Sequence, residues 1–303
     1  MQPRPQESAV NYRPRGKVSS SMAFTVPRLD HLVIDVRDRL DEAGKVFRSL
    51  GFQLTGRSRH TLGSLNHLAV FDSDYLELLG MDAEAPVVRA DIARFPVGLN
   101  GLVFATDEAD SVFSALQTSG VSVEEPVAFS RTVNLAEGNR EASFRVVRLR
   151  AGTFSFGRVY FCQHLTPELV WRSEWQRHAN GSLAIRQVTI AARDARASAL
   201  IFREMFGPDS VREGQGGAWE LSAGAVHIEF VTREEVTRRL GDAAPDPAGR
   251  ENYMAAVSIR THSLSQAAQA LQEGGIAGLR MEPHRIVVPA IHAMNVALEF
   301  TEE

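Results

Sequence analysis

The apolar positions between residues 28 and 80 change period twice, and each change marks an element. "LDHLVIDV" (29–36) is an apolar run of strand length with His31 set inside it. In "RDRLDEAGKVFRSLG" the residues Leu40, Ala43, Val46, Phe47 and Leu50 recur at helical spacing, and Gly51 supplies a C-terminal stop. "FQLTGRSRH", "SLNHLAVF" and "DYLELLG" then read as three short strands separated by polar or glycine-containing turns. The order is βαβββ.

That order returns three times. A second unit runs from "VGLNGLVFATDEADSVFSALQTSG" to "GRVYFCQH" (97–164), a third from "AIRQVTIAARDARASALIFREMFG" to "AVHIEFV" (184–231), and a fourth from "YMAAVSIRTHSLSQAAQALQEGG" to "NVALEFTEE" (253–303). Repetition on this scale predicts copies of one supersecondary unit that bury their apolar faces on one another. The fold class expected is therefore α+β, with units one and two in a domain over 28–165 and units three and four in a domain over 183–303. An unusually aromatic linker (166–182) joins them, and "GDAAPDPAGREN" (241–252) reads as a shorter linker. The first 27 residues are rich in Arg, Pro and Ser, lack helical periodicity, and read as a disordered tail, with Met22 an alternative start.

Composition narrows the function classes. A net charge of -4 offers no basic field to nucleic acid or anionic lipid, and no run approaches the roughly 18 apolar residues of a membrane helix. The single cysteine, Cys162, excludes a disulfide framework and a cysteine-only metal site. The expectation is a cytoplasmic protein with a small-molecule substrate as partner and a possible homodimer as assembly.

Equivalent positions in the four units can be compared directly. The first-strand slot holds His31, Gly101, Gln187 and Ala256, and the last-strand slot holds Glu77, then Phe161 or Gln163, then Glu229 and Glu299. A histidine and a carboxylate in half-buried strands cost free energy to desolvate unless something binds them, which makes His31 and Glu77 the leading candidates. A hairpin closing at Ser73-Asp74 would set Asp72 opposite Tyr75 and Val70 opposite Glu77. Asn66 then shares the face of Glu77, and His67 points away. His60, His262, His284 and His292 fall in loops or helix starts. In "PELVWRSEWQRH" either Trp171 and Trp175 tie the two halves together, or Arg177 or His178 reaches the mouth of the cup and holds an anionic group.

"LDHLVIDVRDRLDEAGKVFRSLGF" followed by "LNHLAVFDSDYLELLG", together with "FCQHLTPELVWRSEWQRHANG", resembles the glyoxalase-like branch of the vicinal oxygen chelate superfamily. This superfamily includes glyoxalases, bleomycin resistance proteins and extradiol dioxygenases. The resemblance implies paired βαβββ units that form cupped sheets around a divalent metal held by first- and last-strand residues. Carried onto this chain, it implies a Zn, Fe, Ni or Mn ion on His31 and Glu77. His164 would be the third ligand, since Gly101 has no side chain to offer, and Glu77 would also take a proton in catalysis. Asn66, Gln163, Arg177 and His178 are the candidate substrate contacts. Pairing of units one and three would bring in Gln187 and Glu229 instead. The implied function is a metal-dependent lyase or isomerase of the glyoxalase type. The alternatives are a metal-free small-molecule binding or resistance protein and an extradiol ring-cleavage dioxygenase.

Overall fold

A computed structural model describes residues 27–85 and 89–302, so the expected tail (all but Pro27) and Met22 lie outside the described residues. Unit one is β1 (Leu29–Arg37), α1 (Leu40–Ser49), β2 (Ser58–His60), β3 (Ser64–Val70) and β4 (Tyr75–Met81). After a single turn, α2 (Ala90–Ala93), unit two is β5 (Gly98–Ala105), α3 (Ala109–Thr118), β6 (Val127–Leu135), β7 (Gly138–Arg148) and β8 (Arg158–His164). Unit three is β9 (Ser182–Ala191), α4 (Ala195–Phe206), β10 (Val211–Glu213), β11 (Trp219–Ala223) and β12 (Val226–Val231). An unanticipated helix, α5 (Arg233–Leu240), precedes unit four: β13 (Tyr253–Thr261), α6 (Leu264–Glu273), β14 (Arg280–Glu282), β15 (Arg285–Val288) and β16 (Ala297–Thr301).

The α+β expectation of four βαβββ units in two cupped sheets is met, and the sheets differ in closure. Units one and two form a closed barrel in the order β1-β4-β3-β2-β6-β7-β8-β5. Closure comes from the long β6–β7 hairpin, which reaches β2 through the pair His60–Arg131 and a Thr61 N–H to Ser130 carbonyl bond of 2.9 Å. Units three and four form an open eight-stranded sheet with the three-residue strands β10 and β14 at its edges. Unit one pairs with unit two, so a ligand set drawn from units one and three does not form.

Between the two sheets lies one apolar core shared by both halves. Leu32, Ile34 and Val36 from β1 enter it, as do Val188 and Ile190 from β9 and the apolar faces of α1, α3, α4 and α6. Phenylalanines interlock across the join, with Phe104 4.9 Å from Phe206 and Phe154 4.7 Å from Phe202. The α1 and α6 ends meet so closely that a Cβ on Gly274 would lie 1.7 Å from the Ser49 carbonyl oxygen. The period-two alternation of each strand therefore sorts residues between this core and the concave interior of its own sheet.

Candidate functional site

On β1 the alternation sends His31 and Val33 into the barrel, and on β4 it sends Tyr75, Glu77 and Leu79. The β3–β4 register is two residues from the expected one: Val70 pairs with Tyr75, Leu68 with Glu77 and Asn66 with Leu79. A slip of two preserves the face, so Asn66 is inside and His67 outside. The His67 imidazole hydrogen-bonds the Thr55 carbonyl at 2.8 Å and packs near Gly44 of α1. The barrel encloses a cavity of about 410 Å³ whose lining includes His31, His60, Asn66, Glu77, Arg131 and Tyr160.

His31 is held from behind. Its Nδ1 lies 2.5 Å from Asp30 Oδ1, and the same oxygen is 3.1 Å from His164 Nε2. Burial acts against the Asp30 charge, but His164 and His31 outweigh it and hold this carboxyl well below the usual range. With Nδ1–H donating to Asp30, the His31 Nε2 lone pair faces the cavity, 3.6 Å from Glu77 Oε2 and 3.4 Å from the Tyr160 hydroxyl. Tyr75 stacks on the His31 ring at 4.3 Å and fixes its plane.

Glu77 sits in a polar net. Asn66 Nδ2 donates to Glu77 Oε1 at 2.7 Å and lies 3.2 Å from His60 Nε2, whose Nδ1 is 2.8 Å from Ser64 Oγ. Burial raises the Glu77 carboxyl, yet His60, His31, the Asn66 amide and Arg131 together bring it below its ordinary value. It is a carboxylate at neutral pH. His60 was expected in a loop without a role; it is the last residue of β2, buried and cavity-lining, and burial lowers its pKa to about 4. Its short strand is pinned only by β3 and the closing hairpin, contacts that local sequence pattern does not reveal.

Several expected contacts fall elsewhere. His164 turns to Asp30, so it supports His31 from outside the cavity lining and does not join Glu77. Neither Phe161 nor Gln163 occupies the last-strand slot of unit two. Parallel pairing sets Tyr160 where Glu77 stands in unit one, while Phe161 enters the shared core. Gln163 faces α3, accepting from the Ala109 N–H and donating to the Asp107 carbonyl. His178 is buried against the first half, accepting from the Gln53 N–H at 3.0 Å and donating to the Val70 carbonyl at 2.9 Å. Arg177 is exposed, and neither it nor His178 lines the cavity. Trp171 and Trp175 pack on the barrel's inner cluster, Trp171 against His164 at 4.7 Å. Beside the shared core, Asn180 and its neighbour contribute polar ties to the second half, through Thr261 to the Asn180 carbonyl and Gln266 to the Ala179 carbonyl.

His31 Nε2 and Glu77 Oε2 are spaced as two ligands of one divalent ion would be, and the Asp30 bond is the support a metal-bound histidine requires. The complement is incomplete. At Gly101 a Cβ would meet Val33 Cβ at 2.6 Å, so β1 and β5 run too close there to admit a ligand. Other oxygens that line this cavity include the Tyr160 phenol, pushed well above its ordinary pKa by burial, and Asn66 Oδ1, which has no hydrogen-bond partner. Among the described residues the one trio of His, Cys, Asp or Glu with converging donor atoms is Asp30, Cys162 and His164, and burial keeps its thiol protonated. Arginine adds positive charge: Arg89, Arg94, Arg131, Arg148, Arg150 and Arg158 line the cavity against Glu77, Asp91 and Glu124.

The corresponding slots of the second half are spoken for. Glu229 makes two bonds to Arg239 of α5 (2.6 and 3.1 Å) and one from Gln187 at 3.0 Å, while Glu299 pairs with Arg285 and Ser258. Val236 and Leu240 of α5 pack onto Ala256, Val287 and Ala297 on the concave face, leaving a cavity of about 190 Å³.

In sequence, the family described as a glyoxalase-like domain matches residues 29–206. No curated protein matches the chain. Among solved structures, a hypothetical protein from Staphylococcus aureus superposes with a TM-score of 0.63 at 14% identity, over 91% of this chain and 99% of that one. A mutant 4-hydroxymandelate synthase from Streptomyces coelicolor superposes with a TM-score of 0.56 at 12% identity, over 91% and 92% of the two chains. Likeness at such identity concerns the fold. No helix of the described residues is long and apolar enough to cross a membrane.

Proposed function

The chain belongs to the glyoxalase-like domain family, of the vicinal oxygen chelate superfamily, and on that premise we propose that it is a lyase- or isomerase-type enzyme acting on a small oxygenated molecule in the first barrel. The observation that carries the reading is His31 Nε2, turned into the cavity by the Asp30 bond, 3.6 Å from Glu77 and within reach of the Tyr160 hydroxyl. His31 is the better proton acceptor of the two, because the lowered Glu77 carboxyl is a weak base. In the reaction, a C–H bond beside a substrate carbonyl breaks, its proton passes to Nε2, and the electron pair moves onto the carbonyl oxygen. The Tyr160 hydroxyl, kept protonated by burial, donates to that oxygen. Asp30 and Glu77 stabilise the imidazolium. With an α-hydroxy carbonyl compound, the hydroxyl proton passes to the enolate oxygen while the imidazolium returns its proton to the former carbonyl carbon (isomerase). With a β-oxygen substituent, the enolate re-forms the carbonyl, the C–O bond breaks, and the departing oxygen takes the imidazolium proton (lyase). His164 is a positioning residue acting through Asp30.

A second reading takes His31 and Glu77 as two ligands of a Zn, Fe, Ni or Mn ion, and the 3.6 Å spacing favours it. Such an ion would supply Lewis acidity at the substrate oxygen. Arg131, which already acts on Glu77 with positive charge, speaks for the metal-free form. The test combines metal titration of the protein with solvent deuterium exchange into a panel of small hydroxy- and oxo-compounds. Exchange that persists after chelation and is lost in His31→Gln supports the proton-transfer reading. Exchange that disappears on chelation supports the metal reading, and binding without exchange leaves a small-molecule binding protein.

A further inference from the structure

Arg131 is 2% exposed and sits on β6 where the barrel closes against β2. Its Nη1 donates to Ser58 Oγ at 3.1 Å, while Nη2 is buried without a partner. The guanidinium carbon lies 5.8 Å from the centre of the Phe144 ring, which stacks on Phe129 at 5.1 Å; both rings line the cavity with Leu68 and Leu79. No carboxylate of the described residues forms an ion pair with Arg131. Glu77 feels its field, but its oxygens are served by Asn66 and face His60 and His31. A buried guanidinium with free N–H groups beside an apolar, aromatic wall is strongly unfavourable unless the cavity's guest supplies the acceptor.

We propose that this guest carries a planar carboxylate, accepted by Arg131 Nη2, with its apolar body against Phe129 and Phe144 and its reactive carbon directed to His31. The carboxylate anchor stands on Arg131 alone; only the direction of the reactive carbon rests on the proton-transfer reading. A monoanion is favoured over a phosphate because Nη1 of Arg131 already serves Ser58 and Nη2 is the nitrogen left buried without a partner, whose donors suit one carboxylate rather than the three oxygens of a dianion. Planarity matches the guanidinium fork and the flat ring wall.

The experiment is calorimetric titration of the full chain with benzoate, with uncharged benzamide of the same shape, and with inorganic phosphate. Benzoate binding is expected in the parent and is expected to weaken by about ten- to a hundredfold in Arg131→Met and Arg131→Lys. Neither benzamide nor phosphate should compete. His31→Gln should keep the benzoate affinity while losing deuterium exchange. Loss of exchange with benzoate bound normally by Arg131→Met overturns the anchor and leaves the proton-transfer reading standing. Retained exchange in His31→Gln does the reverse. Displacement of benzoate by phosphate overturns the carboxylate assignment, and so does an undetectable benzoate interaction in the parent. Should neither Arg131 variant fold, the guanidinium ¹⁵N resonances of the parent read the same contact: a benzoate-induced shift at Arg131 supports the anchor, and its absence overturns it.

Discussion

The two halves carry the same four-strand unit twice each and treat its concave face in opposite ways. In the first, a long hairpin closes the sheet into a barrel around an interior of about 410 Å³ that keeps histidines, a carboxylate and an unpaired arginine atom. In the second, the hairpin is cut to the short strands β14 and β15, the sheet stays open, and α5 lies across it. Thr232 caps that helix on the Glu235 N–H, and Arg239 at its far end neutralises Glu229. A buried glutamate thus has two fates in one chain. Glu77 faces space and is balanced by groups that leave room for a guest, while Glu229 is balanced by an arginine that occupies the room.

The sharpest test is catalytic. His31→Gln and Glu77→Gln are expected to lower turnover about a hundredfold or more, and Glu229→Gln is expected to leave it within about twofold. An equal loss in Glu229→Gln would erase the distinction between an open and a plugged cup.

Next in size is the pH dependence of stability, to which the barrel contributes buried groups shifted in opposite senses. His60 titrates near pH 4 when folded against an ordinary 6.5, so the unfolded chain binds more protons between these values. Its contribution is lost as pH falls from about 6.5 to 4, at about 1.4 kcal/mol per pH unit. Asp35, raised by burial to about 6 despite Arg158, works the other way: the folded state holds the extra proton, and stability is lost as pH rises from about 4 to 6. The two offset each other in the parent. Denaturation of His60→Asn should therefore show stability falling toward neutral pH, and that of Asp35→Asn a steeper acid loss.

Breaking the plug should cost less. Glu229→Gln removes the ion pair and one of the two acceptors of Arg239, but Arg239 is partly exposed and retains Glu235, so about 1–3 kcal/mol is expected from chemical unfolding. The join between halves is of similar weight. In Gly274→Ala the new methyl would overlap the Ser49 carbonyl, for about 1–3 kcal/mol and a lowered thermal midpoint of the whole chain in one transition. Two separated transitions in the parent would contradict a shared core. His67→Ala is the smallest, about 1 kcal/mol of stability with ligand affinity unchanged, whereas Asn66→Ala should weaken binding.

Much of this was legible in the chain before folding. Helical and strand periods alone delimit the four units, and strand parity alone places Asn66 inside and His67 outside, since a two-residue slip in the hairpin cannot change the face. The His31–Glu77 pair was legible because both are polar residues in otherwise apolar strands. His60 was not, because a three-residue strand has no period to detect. Arg131 was missed for a related reason: a lone arginine on an exposed-looking hairpin gains its meaning only when that hairpin closes the barrel. For the last-strand slot on β8 the expected residues, Phe161 or Gln163, were of the wrong parity, and the parallel pairing with β5 set Tyr160 there instead.

Local sequence therefore determined which segments become strands and helices, how often the unit recurs, and which face each side chain takes, because these follow from neighbours a few residues away. Tertiary structure alone decided that the first sheet closes, that α5 fills the second, that His164 serves His31 through Asp30, and that Arg131 Nη2 is left without an acceptor. Each of those depends on strand pairing and packing between residues distant in the chain, where hydrogen-bond geometry and excluded volume, rather than any local pattern, select the partner.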